Sequence, residues 1–302
     1  MTQEELKRKY LLSDRIISVI SKDGLYRASA IKNSSSTLTG QMKHNLPKNA
    51  AFFLAQQLTA ASLLASFLNG EERVIAEIES EGLIKQIYTE ALQVGEVRGY
   101  MKYDDAIKTK NLDDAFGILG EGILRISRIL YKKYEPIVGM VKLQNGDIAK
   151  SIKHYFEKSE QILTDILLEL NFDEQGYINQ SGGLILQALP GCSHNEFRKI
   201  SGSLNQNNVF LKSIENHLPV TEILSHVLPF EFNIIKNTRV DYFCRCSKDN
   251  FMDKLIAFGI EEILKMQHDG HNELVCQYCN KKYTLTDIDF GKMIASLKAK
   301  NN

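Results

Sequence analysis

The sequence predicts an α+β fold: an N-terminal core domain of antiparallel sheet and helix, a helical linker, and a small C-terminal domain built around cysteines. Three observations carry that reading. Short strand-like runs punctuated by Gly and Asn-Gly turns recur without the regular strand–helix alternation of a doubly wound sheet. One uncharged stretch, residues 49–69, is long enough for a single buried helix. Four of the five cysteines fall after residue 240, in two close pairs. The expected division is residues 1–190 for the core domain, 191–240 for the linker and 241–302 for the cysteine-bearing domain.

Near the N-terminus, residues 14–31 alternate apolar and polar around Lys22-Asp23-Gly24, a hairpin signal. The uncharged helix is expected over about 50–68, ended by Asn69-Gly70. Its length would suit a membrane span, but Gln56, Gln57, Thr59, Ser62 and Ser66 interrupt the apolar character, so a buried helix is expected instead. Strand-like runs follow at 73–78, 83–91 and 96–102, then at 123–131 and 137–143, with Asn145-Gly146 as a turn. A helix is predicted over 147–160, and strands over 162–170 and 184–189.

Pro190-Gly191 marks the expected boundary. Residues 192–216 are polar and rich in Ser and Asn; then Val220, Ile223, Leu224, Val227 and Leu228 recur at helical spacing until Pro229 stops the run. Short amphipathic helices are barely stable alone in water, so this linker needs a surface to lie on. Beyond it, Ser247 caps a predicted helix that Gly259 ends, and a further turn or two covers 261–266. Residues 271–275 and 281–285 flank the second cysteine pair as a hairpin, and Thr286-Asp287-Ile288-Asp289 is a capping box opening a last helix to about Lys298.

Composition narrows the function. Of 302 residues 43% are apolar and 25% charged, and 37 basic side chains balance 37 acidic ones. That neutrality gives no footprint for nucleic acid or an anionic membrane, so neither is expected as a partner. The stretch Met1-Thr-Gln-Glu-Glu-Leu-Lys-Arg-Lys9 has no apolar targeting segment, and a cytoplasmic protein with reduced cysteines is expected. Gly117-Ile-Leu-Gly120-Glu-Gly122 lacks the Lys-Ser/Thr of a phosphate loop. Glu160 and Arg98 are expected in structural ion pairs. No catalytic set is legible, and the chain is not expected to be an enzyme.

The chemistry lies in Cys244-Arg245-Cys246, twenty-nine residues, then Cys276-Gln277-Tyr278-Cys279. As thiolates these four can close a tetrahedral zinc site; as thiols losing electrons they can form disulfides. A tight turn points both sulfurs of the second pair inward, whereas those of the first share a face only on extended backbone. Zinc binding in such modules is worth roughly 10–16 kcal/mol, enough to dominate a small domain's stability. His268 and His271 lie nearby, but four thiolates already complete a site, and Cys192 stands outside the cluster as a free thiol. Two other chemistries compete. A static zinc ribbon binding nucleic acid would bring a basic surface. A thiol oxidoreductase would open a helix with its second cysteine pair, which here lies between two predicted strands.

Several segments carry a resemblance: Gly95-Glu-Val-Arg-Gly-Tyr100, Pro136-Ile-Val-Gly139, Gly146-Asp-Ile-Ala149, Tyr155-Phe-Glu-Lys-Ser-Glu-Gln161, Gly182-Gly-Leu-Ile-Leu-Gln187 and the two cysteine pairs, with an aromatic at Tyr283. In this order, across nearly the whole chain, they resemble the redox-regulated thirty-three-kilodalton heat-shock chaperone family. The resemblance implies an ATP-independent holdase whose C-terminal domain is a zinc-binding redox switch. It implies one Zn2+ per chain on Cys244, Cys246, Cys276 and Cys279 in the reduced, inactive form. Oxidation is then implied to form disulfides Cys244–Cys246 and Cys276–Cys279, release zinc and unfold linker and C-terminal domain. The implied partners are unfolding client proteins and, in the oxidised state, a second copy. The apolar faces of the 220–228 helix and of the core sheet are candidate client surfaces. This chain departs from the family at Ser247-Lys-Asp-Asn-Phe251, at Gly82-Leu-Ile84, and in its Asn- and Ser-rich residues 192–217.

Overall fold

The computed structural model describes residues 13–131, 133, 135–204 and 208–300, and the N-terminal stretch Met1–Lys9, where no targeting segment is legible, lies outside them. The chain divides into two compact units, cut between Phe243 and Cys244.

The first unit is two antiparallel sheets with a helix between them. β1 (Arg15–Ser21) and β2 (Tyr26–Lys32) form the expected hairpin, turned at Gly24 with φ 74°. Helix α1 (Ser34–His44) follows, then α2 (Lys48–Ala65), the uncharged helix, which packs against strands of both sheets. β3 (Arg73–Ser80), β4 (Ile84–Leu92) and β5 (Glu96–Tyr103) form a meander. The short helix α3 (Ala115–Leu119) precedes β6 (Gly122–Ile129) and β7 (Ile137–Lys142). Helix α4 (Ile148–Tyr155) is capped by Asp147 and widens into one π-helical turn, Phe156–Glu160. β8 (Thr164–Phe172) and β9 (Ile178–Ala188) complete the hairpins. Among the described residues, no helix is long and apolar enough to cross a membrane. The uncharged stretch is instead the α2 core, with Phe53, Leu54, Leu58 and Leu63 almost fully enclosed.

Helix α1 is absent from the sequence reading, for a physical reason. Its buried face is polar (Ser36, Thr37, Gln41), so no amphipathic stripe announces it. Its N-terminus is capped from outside the helix: Asp14 accepts from the Ser36 N–H (2.6 Å), the Ser36 hydroxyl (2.7 Å) and the Ser35 N–H (3.2 Å).

The described residues of 191–240 include three α-helices and a strand. Helix α5 (His194–Ser203) opens with a Ser193–Glu196 capping box; α6 (Val209–Glu215) and α7 (Val220–Val227) follow. They lie on the outer face of the five-stranded sheet, where Phe197, Phe210, Ile214, Ile223 and Leu224 pack with Ile17, Val19, Tyr26, Leu184 and Leu186. Strand β10 (Phe232–Arg239) then pairs with β1, giving the order β10-β1-β2-β9-β8. The sequence reading has only helices here. β10 is an edge strand whose register shifts opposite Ser18/Val19, leaving Ile234 and Ile235 exposed and breaking the alternation that marks a strand. β11 (Asp241–Tyr242) pairs in parallel with β5, so the second sheet runs β11-β5-β4-β3-β6-β7. β11 belongs to the first unit, which ends at Phe243.

The second unit contains α8 (Lys248–Leu255), α9 (Ile260–His268), the hairpin β12 (Glu273–Val275) and β13 (Lys282–Thr284), and α10 (Asp287–Lys300). Ser247 caps α8, Gly259 (φ 88°) separates α8 from α9, and Thr286 with Asp289 makes the capping box of α10. Its described apolar core is Met252, Ile263, Leu285, Phe290 and Met293.

Candidate metal centre

Two short segments supply the sulfurs. Cys244 and Cys246 lie in the extended chain ahead of α8, so both side chains of the CxC pair can turn to one side. Cys276 and Cys279 lie in the turn between β12 and β13. There the Cys279 and Asn280 N–H groups donate to the Cys276 carbonyl (3.3 and 2.8 Å), and Asn280 takes a left-handed φ of 55°. All four sulfurs lie within 4.8 Å of one another.

Two sulfur contacts run between the pairs: Cys244 to Cys276 at 3.6 Å and Cys246 to Cys279 at 3.4 Å. A tetrahedral ion with metal–sulfur bonds of about 2.3 Å sets its ligands about 3.8 Å apart, whereas a disulfide needs about 2.05 Å. The donor set is therefore spaced for one tetrahedral, sulfur-seeking metal ion. His268 bonds Asp269 at 3.0 Å and His271 is exposed; neither joins the cluster. Cys192 sits apart, its thiol 3.5 Å from the Ser193 carbonyl.

Tyr283 on β13 supports the site. Its hydroxyl donates to the Cys246 carbonyl at 2.9 Å and lies 3.2 Å from the Cys246 sulfur. Burial works against ionising Cys246, yet hydrogen bonds from Tyr283 and the neighbouring thiols outweigh it and bring that thiol down to about 7. Burial pushes Cys276 up to about 12 and raises Cys279 as well. The site thus holds one easily ionised thiol beside two that give up a proton only to a strong electrophile. The sequence reading found the Tyr283 aromatic but not its hydrogen bond. It also missed Lys248, which bonds Asp289 at 2.8 Å and fastens α8 to the start of α10.

The remaining sequence candidates have structural roles. Glu160 accepts from Arg128 (2.6 Å) and from the Tyr155 hydroxyl (2.7 Å), and Arg98 pairs with Glu90 at 2.5 Å. The glycine-rich 117–122 stretch forms α3 and the start of β6, with Asp114 capping through the Gly117 N–H at 2.9 Å.

Fold and site together define a class: an α+β protein whose large two-sheet unit is followed by a small unit centred on four converging thiols. Comparison with known proteins makes the class specific. The sequence model described as Hsp33 protein matches residues 14–286. The chain is 30% identical to the 33 kDa chaperonin of Bacillus licheniformis over 278 residues, 90% of this chain and 96% of that one. It is also 30% identical to the 33 kDa chaperonin of Deinococcus radiodurans over 271 residues, 87% of this chain and 92% of that one. The crystal structure of the 33 kDa chaperonin (heat shock protein 33 homolog) from Thermotoga maritima has the same fold, with a TM-score of 0.82 at 22% identity, covering 95% of this chain and 99% of that one. The chain belongs to the Hsp33 family of chaperones, as its sequence segments led one to expect.

Proposed function

We propose that this chain is a redox-regulated, ATP-independent holdase of the cytoplasm, with Cys244, Cys246, Cys276 and Cys279 as its sensor. The observation that carries the reading is the convergence of four sulfurs within 4.8 Å on a unit with a small apolar core. In the reduced state the four thiolates hold one Zn2+ per chain. The bound ion supplies a cross-link between two segments about thirty residues apart in sequence, and with it much of the unit's folding energy.

Under peroxide, each of the thiolate pairs Cys244–Cys246 and Cys276–Cys279 gives up two electrons to one hydrogen peroxide, which takes two protons from solvent. A sulfur–sulfur bond forms and the peroxide is reduced to two waters. A disulfide sulfur no longer carries the thiolate charge, so the ligand set is dismantled and the small unit loses its main tie. Loss of order then extends to residues 191–240, and α5, α6 and α7 leave the five-stranded sheet. The uncovered face, with Ile17, Val19, Tyr26, Leu184 and Leu186, captures exposed apolar segments of unfolding proteins. In the oxidised form the chaperone works as a homodimer.

The test uses one sample and three readouts: bound zinc, free thiols, and light scattering of a thermally unfolding client, before and after peroxide at raised temperature. The reading expects one zinc lost, four thiols consumed, and aggregation suppressed only after oxidation. Zinc retained together with salt-sensitive nucleic-acid binding would replace it with a static ribbon. Catalytic turnover of disulfides by the reduced protein would replace it with an oxidoreductase.

A further inference from the structure

The seam between α5–α7 and the five-stranded sheet is apolar at its centre, but one side chain in it is at odds with its surroundings. Glu169 on β8 lies directly opposite Gly182 on β9. A side-chain carbon at Gly182 would meet Ile214 at 2.8 Å and Phe210 at 3.4 Å, so α6 closes down on that glycine. Paired residues share a face of the sheet, which sets Glu169 on the α6 side. Its neighbours on the same face agree: Leu167 packs into the seam, and Asn171 donates to Glu215 of α6 at 2.6 Å.

Glu169 is partly buried there, with no hydrogen-bond or ion-pair partner among the described residues. The other charged groups around it are engaged elsewhere. Asp165, four residues back along β8, accepts from Lys153 at 3.3 Å and from the Ser201 hydroxyl of α5. Lys32, in the same row beyond Gly182, has its charge answered by Asp14. Glu215 is bound to Asn171, and Lys212 is exposed.

We propose that Glu169 is a built-in weak point of this seam, a carboxylate covered by α6 without a counter-ion, which keeps α5–α7 releasable. Covering an unpaired charge costs free energy that uncovering returns, so the closed state is held less tightly than its apolar contacts alone would hold it. Burial raises the Glu169 carboxyl above its ordinary range, in keeping with that cost. The inference rests on the proposed release of α5–α7, but its test does not require chaperone activity.

The experiment is native-state hydrogen exchange on the full-length, reduced, zinc-loaded protein without oxidant or client. Glu169→Gln removes the charge and keeps the shape; Glu169→Met replaces the carboxylate with an apolar chain. Glu174→Gln, in the exposed turn after β8, is the control. Amides of α6 and α7 should exchange about tenfold more slowly in both Glu169 variants, the scale expected when one buried unsatisfied polar group is relieved, and at the wild-type rate in the control. Unchanged or faster exchange in either variant overturns the proposal. So does failure of both variants to fold, since the carboxylate would then be stabilising the sheet. If exchange slows but oxidation still fails to produce aggregation suppression, the weak point stands and the holdase reading falls.

Discussion

Replacing Cys279 with alanine should unfold residues 244–302 and leave the first unit intact. Five described side chains form the apolar core of the small unit: Met252, Ile263, Leu285, Phe290 and Met293. At about 1.5–3 kcal/mol each, their burial is worth about 7–15 kcal/mol. A core of this size leaves a unit spanning 244–302 marginal on its own. A four-thiolate metal site adds roughly 10–16 kcal/mol, about as much again as the whole core. Removing one sulfur opens the site and forfeits most of that contribution. The assay pairs metal content by mass spectrometry with peptide-resolved hydrogen exchange. Zinc should fall from one per chain to a small fraction, and peptides from 244–300 should lose protection while α2 and both sheets keep theirs. A C279A protein that loses its metal yet keeps protection across α8–α10 would refute the reasoning, because the small core would then suffice.

Three further outcomes follow from the same geometry. Leu224 is fully buried beneath α7, and Leu224→Ala should weaken docking of that helix by about 2–5 kcal/mol, read as faster exchange in α6–α7 and a lower peroxide dose for aggregation suppression. Tyr283→Phe removes the hydroxyl beside the Cys246 sulfur and should speed zinc transfer to a chromogenic chelator about tenfold to a hundredfold; an unchanged rate would show that the hydroxyl serves only the Cys246 carbonyl. Because Cys276 and Cys279 have raised pKa values, both are protonated at pH 7, and zinc binding should release at least two protons per ion. Affinity then weakens as pH falls, and calorimetry in buffers of different ionisation enthalpy measures the count.

How much of this was legible beforehand depended on whether a segment's fold was decided locally. The meander β3–β5 and the hairpin β1–β2 obey period-two alternation and glycine turns, and both follow the sequence reading. The cysteine pairs were legible because ligand chemistry fixes spacing within each pair, and the fold then brings the two pairs together. Helix α1 was hidden because its cap, Asp14, lies outside the helix and its buried face is polar. β10 was hidden because an edge strand with a register shift exposes Ile234 and Ile235 where alternation expects polar residues. Glu169 has no sequence signature at all: a glutamate in a strand reads as solvent-facing until a helix is known to lie over it.

The distribution of folding energy bears on why a sensor would be built this way. In the first unit the apolar core is spread over α2 and strands of both sheets. A chemical signal that alters two or four atoms cannot melt such a core, because cooperativity spreads the loss over many contacts. In the second unit the apolar contribution is small and the largest remaining stabilisation is available at four sulfurs within 4.8 Å. In the proposed switch, two electrons per pair would be enough to remove it. The seam beneath α5–α7 is intermediate: a genuine apolar contact that, in the proposal above, is tempered by the Glu169 carboxylate, which has no ion-pair partner among the described residues. Under the proposed function, a graded series of this kind, robust core, weakened seam and chemically removable site, would let one oxidant open the last two while sparing the first. If the seam were as tightly closed as the core, loss of the metal site would leave the covered face of the sheet shut.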